Sequence, residues 1–188
     1  FTIGESGVIS DLTASVTAPV PAPLTTAVLA PLSGAQTITF TAAADTYVSA
    51  TEPTSNFGTE TRLRLDASPA AVSYLRFNVQ GLTAPVTSAT LHVYANSKSK
   101  GGYQAAGVGD DTWTEEGLTY DSAPAVGAAV GSSGAFTSKS WTQVDVTSLI
   151  TGNGTVDLAL LGTSETATVL SSREGTNAPV LVVTTGTE

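Results

Sequence analysis

From residue 37 to residue 183 the chain is written in short segments that change character at every residue. Arg62-Leu63-Arg64-Leu65-Asp66 alternates strictly between charged and apolar. Thr37-Ile38-Thr39-Phe40, Tyr74-Leu75-Arg76-Phe77-Asn78-Val79 and Ala89-Thr90-Leu91-His92-Val93-Tyr94 follow the same rule. A period of two places successive side chains on opposite faces of a strand, so each segment buries one face and wets the other. Further strand-like runs occur at 140–144, 156–160, 166–170 and 180–183, with a short one at Tyr47-Val48. Turn signals separate them, among them Asn56-Phe57-Gly58, Ser68-Pro69, Gly101-Gly102, Gly152-Asn153-Gly154 and Asn177-Ala178-Pro179. Helical turns are expected only at 112–118 and 146–151. About eight to ten short strands without a long helix predict an all-β fold, a two-sheet sandwich or jelly roll. No repeat of solenoid or propeller length is present.

Residues 1–36 break this pattern. Four of the chain's nine prolines, Pro19, Pro21, Pro23 and Pro31, exclude one continuous helix. Yet the segment carries Val8, Ile9, Leu12, Val16, Val20, Leu24, Val28, Leu29 and Leu32, with only Glu5 and Asp11 charged. That is too apolar for a solvated linker. The expected organisation is an extended apolar N-terminal arm, 1–36, followed by a sandwich domain, 37–188. Such an arm suits strand addition to a second copy, since main-chain hydrogen bonds give affinity and alternate side chains fill pockets. Segments 13–17 and 25–29, between proline interruptions, are the expected donor strands. Head-to-tail contacts of this kind propagate into an open filament unless they close. An arm folded along an edge strand of its own domain is the alternative.

Charge narrows the partners. The 188 residues carry a formal charge of −9 and only 12% charged residues, against about 25% in ordinary domains. Nucleic acid and anionic membrane surfaces are therefore excluded as main partners. No run of ~18 apolar residues is present to span a bilayer as a helix. The chain lacks Cys and Met, including at position 1, and the low charge suits a processed, secreted protein of the extracellular space or cell surface. A glycosylation sequon, Asn153-Gly154-Thr155, sits in a turn.

The inventory for catalysis is thin. With one histidine, His92, and no cysteine, a catalytic triad or a His-rich metal site cannot be built. His92 is expected as a sheet-face or surface residue. Asp110-Asp111 and Glu115-Glu116 flank Trp113, and these pairs are expected to be structural or cation-binding rather than catalytic. Hard oxygen ligands leave calcium as the metal to consider, with Asp45, Asp110, Asp111 and Glu115 as candidate ligands. Arg76 and Arg173 stand in apolar contexts and are expected to pair with Glu174, Asp45 or backbone carbonyls. Trp113 and Trp141 are expected in the core, and Tyr103, following two glycines, is expected as an exposed aromatic.

An ordered set of segments resembles the DNRLRE family, grouped with carbohydrate-binding modules first associated with alginate-degrading enzymes. The segments are Ala44-Asp45-Thr46-Tyr47-Val48, Asn56-Phe57-Gly58, Leu63-Arg64-Leu65, Tyr74-Leu75-Arg76-Phe77 and Val86-Thr87-Ser88-Ala89-Thr90-Leu91. They continue with Trp113-Thr114-Glu115, Leu118-Thr119-Tyr120, Pro124, Asp145-Val146-Thr147, Ser172-Arg173-Glu174 and Ala178-Pro179-Val180-Leu181. The set covers about 37–184, and Tyr120 stands where the family usually has Trp. The resemblance implies a secreted, non-catalytic β-sandwich found in polysaccharide-degrading enzymes and large surface proteins.

Two functions follow. The principal expectation is a non-catalytic structural subunit that forms a homo-oligomeric extracellular filament by donating residues 1–36. The alternative is a carbohydrate-binding module that contacts polysaccharide through Tyr103, Trp141, Arg64 and His92, with Lys98 and Lys100 on the rim.

Overall fold

The structure, a computed structural model, describes residues 35–186. The arm and the donor strands expected within it lie outside the described residues, apart from its last two positions.

Among the described residues eleven strands form two antiparallel sheets. They are β1 (Gln36–Thr41), β2 (Ala44–Ser49), β3 (Arg62–Leu65), β4 (Ala71–Val79), β5 (Val86–Ala95), β6 (Tyr103–Val108), β7 (Val126–Ser132), β8 (Ser140–Asp145), β9 (Gly154–Gly162), β10 (Thr168–Ser171) and β11 (Val180–Thr185). The first sheet runs β1-β11-β5-β10-β3, with β8 also paired to β5. The second runs β2-β4-β9-β6-β7. The described residues hold no α-helix: 146–151 contains a 3-10 turn at Thr147–Leu149, and 112–118 closes one turn through Leu118 N–H to Thr114 O at 3.0 Å.

The alternation seen in the sequence builds the core directly. Leu75, Phe77 and Val79 of β4, with Leu158 and Leu160 of β9, meet Leu63, Leu65, Leu91, Val93, Leu170, Leu181 and Val183 of the facing sheet, all fully buried. Each such side chain contributes about 1.5–3 kcal/mol on leaving water. The opposite face of β4 is covered too. Tyr74 and Ala159 pack with Val48, Trp113 and Leu118 in a second cluster, roofed by the loop at 109–125. Trp113 is thus core, as its sequence context suggests.

Arg76 anchors that loop. Its Nε meets Asp157 Oδ1 at 2.8 Å, while Nη1 and Nη2 donate to Trp113 O at 3.1 Å and Asp111 O at 2.7 Å. The guanidinium carbon lies 4.5 Å from the centroid of the Trp113 ring. Each of the three guanidinium nitrogens is engaged inside the fold, which marks Arg76 as a structural residue.

Candidate functional site

Strands β5 and β8 present a wet face. Leu91, Val93 and Ala95 point into the core, so Thr90, His92 and Tyr94 point outward. The antiparallel register sets Tyr94 opposite Trp141 and His92 opposite Gln143. On the other flank His92 faces Val180 of β11. Trp141 is 46% exposed, although a core position was expected of it. The correction has a simple cause: on β8 the inward positions belong to Thr142 and Val144, and position 141 falls on the opposite face. Tyr94 meets the indole edge-on, with centroids 5.4 Å apart and planes at 75°. That pairing holds a large aromatic in one orientation while its surface stays open. Partial desolvation lowers the His92 pKa and so favours the neutral ring, which offers one donor and one acceptor.

Tyr103 is the opposite correction. Expected as an exposed aromatic, it is fully buried on the inner side of β6. Thr142 Oγ1 gives its proton to Val93 O at 2.8 Å, so the Tyr103 hydroxyl donates to Thr142 Oγ1 at 2.7 Å. A satisfied hydroxyl lets the whole ring go inside, where burial raises its pKa to about 12. Arg64 does lie on the outer face, opposite Val169, with its side chain 43% exposed and its guanidinium 4.0 Å from Asp66. Lys98 and Lys100 line a different hollow with Ser164 and Thr166.

A polar cleft of about 540 Å³ opens beside this face, walled by the connection between β10 and β11. Arg62, Asn96, Ser171, Glu174, Thr176 and Asn177 line it, and Asn96 Nδ2 donates to Ser171 Oγ at 3.1 Å. Asn96 follows the last residue of β5 and lies two residues beyond Tyr94, so the cleft begins close to that ring along the chain. Another hollow, about 350 Å³ between 107–109 and 151–157, has no aromatic lining and offers no stacking surface.

The acidic residues separate into two groups. Asp110 Oδ1 is taken by Thr112, whose N–H and hydroxyl donate at 2.8 and 2.7 Å, and Asp111 contributes its carbonyl to Arg76. Neither joins the other two expected ligands. Asp45 and Glu115 instead meet Glu174, with one carboxylate oxygen of each within 4.8 Å of the others. Arg173 lies among them: its Nε and Nη2 donate to Glu115 Oε1 and Oε2 at 2.6 Å each, and Nε lies 2.9 Å from Glu174 Oε1. Its backbone N–H donates to Asp45 Oδ2 at 2.8 Å, and the Asp45 N–H donates to Glu115 Oε1 at 2.7 Å. Asp45 is buried on β2, and desolvation there, aided by the neighbouring Glu174 and Glu115 charges, raises its pKa to about 7 against the hydrogen bond from Arg173. Asn56 Nδ2 clamps the Glu115 turn by donating to Glu115 O and Leu118 O at 2.8 Å. Gly58 is required beside it, because a Cβ there would collide with the Glu115 carbonyl.

Sequence reasoning did not pick out Tyr94, Gln143 or the cleft residues as binding groups, nor Glu174 as a possible ligand. Alternation within 89–94 already put Tyr94 on the face of His92. The pairing of β5 with β8, which brings it to Trp141, is a non-local fact.

The profile of carbohydrate-binding module family 96 matches residues 36–185, and the chain belongs to that family. No curated protein matches it.

Proposed function

We propose that this protein is a non-catalytic polysaccharide-binding module of a secreted or cell-surface protein, and that the sugar chain lies across the outer face of the first sheet. One observation carries the assignment of the face: the exposed Trp141 ring is braced by Tyr94, which stands two residues before Asn96 in the wall of a polar cleft. A pyranose presents C–H groups on its faces and hydroxyls around its rim. The indole offers an apolar platform for the former, while His92, Gln143, Asn96 and Arg62 offer donors and acceptors for the latter. Membership of family 96 supports this function over the polymerising subunit, whose arm lies outside the described residues but for its last two positions. In an interface of this kind a central Trp carries much of the affinity, about 2 kcal/mol or more on truncation.

The test is Trp141→Ala, examined by affinity electrophoresis and calorimetry over a panel of neutral and acidic polysaccharides. The variant should retain its melting temperature within a degree or two, because the side chain is exposed, and should bind at least ~10-fold more weakly. Unchanged affinity in Trp141→Ala would place the ligand elsewhere.

A further inference from the structure

The carboxylates around Arg173 are not fully answered by it. Glu115 and Glu174 share one guanidinium and Asp45 meets only the Arg173 backbone N–H, so with all three carboxyls ionised the group carries the excess charge that one divalent ion would neutralise. Asp45 is 1% exposed, yet its Oδ1 has no hydrogen-bond partner, since Oδ2 alone receives the Arg173 N–H. Glu174 Oε2 is likewise buried without a partner, Oε1 being held by Arg173. Buried carboxylate oxygens seldom stay unsatisfied, because desolvation costs more than a missing contact.

We infer that Asp45, Glu115 and Glu174 form a calcium site at the edge of the sandwich, with Arg173, bonded to all three, as a fixed counter-charge beside the ion. The spacing fits: at Ca–O distances of about 2.3–2.6 Å, two oxygens on one ion stand at most about 5 Å apart, and the three carboxylates meet within 4.8 Å. The donor set is all hard oxygen, which suits calcium and disfavours zinc or copper. Magnesium usually binds through one or two carboxylates and several waters, so three protein carboxylates favour the larger ion. The three ligands come from β2, the 109–125 loop and the β10–β11 connection, so one ion pins segments far apart in sequence. Glu174 also lines the cleft, so the ion stiffens the cleft wall. None of this depends on what the cleft binds.

The experiment uses the full chain, stripped with EGTA, and no sugar. Calcium is titrated by calorimetry at neutral pH, with magnesium in parallel, and melts are recorded with each ion. One calcium should bind with a dissociation constant on the order of 1 mM or tighter, the range of extracellular modules. The melting temperature should rise and fall back with EGTA. Asp45→Asn keeps the shape and an acceptor for the Arg173 N–H, and should weaken calcium at least ~10-fold. Glu174→Gln, at a half-buried position, should do the same and guards against a folding defect in the first variant. No heat and no melting shift at ~10 mM calcium, far above the expected constant, would overturn the site and leave an arginine–carboxylate network alone. An undiminished response in both variants would overturn it equally.

Discussion

Trp141 and Tyr103 show how little a side chain's identity says about its fate. Both sit in strands, and both were placed on the wrong side of the surface by composition and local context. What decided them was a partner: Thr142 turns inward, satisfies Tyr103 and thereby turns Trp141 out. The buried phenol has a measurable consequence. Tyr103 keeps its proton up to about pH 12 in the folded state but loses it near pH 10 once unfolded. Between those values the unfolded chain binds fewer protons, so stability falls as pH rises, by about 3 kcal/mol for this group. In urea titrations from pH 8 to 12, Tyr103→Phe should start less stable by about 1 kcal/mol for the lost hydrogen bond. Its deficit should then shrink with rising pH. A deficit that stays constant would show that Tyr103 is not the alkaline-sensitive group. Asn153, read in the sequence as part of a sequon, also has a structural duty: it accepts from Leu82 N–H and donates to Leu82 O, both at 2.9 Å.

Among the elements, β6 and β7 were the ones the sequence hid. Tyr103–Val108 and Val126–Ser132 are rich in alanine and glycine, residues with weak strand preference and no apolar alternation to read. Their composition has a packing reason that becomes visible only in three dimensions. A Cβ at Gly131 would collide with the Asp145 carbonyl and stand 2.8 Å from Val144 Cγ1, so glycine lets β7 close against β8 from the other sheet. Gly131→Ala should therefore destabilise by about 1–3 kcal/mol, seen as a lower urea midpoint, because backbone rather than a flexible side chain must move. A neutral result would mean that this edge of the sandwich is loosely packed. The 109–125 loop is the converse case. Its Trp113, acidic pairs and Leu118 were noticed, but its role as the roof over Tyr74, fastened by Arg76, comes from contacts across more than thirty residues.

As a whole the sandwich has a continuous core of its own within residues 35–186, of a size that folds without metal or disulfide. A chain beginning at Ser33 should unfold in one cooperative transition, with a urea midpoint close to that of the full chain. A broad or strongly shifted transition would show that residues 1–32 are part of the stability unit. The sequence alone determined the fold class, most strands and the main core, because a period of two is a local property: each residue's face follows from its neighbours. It also bounded the chemistry by what it lacks, with one histidine and no cysteine. The exposed aromatic pair, the cleft and the meeting of Asp45, Glu115 and Glu174 were decided by tertiary structure. Each depends on strand order and register, which join positions about 50 to 130 residues apart through pairings that no local pattern encodes.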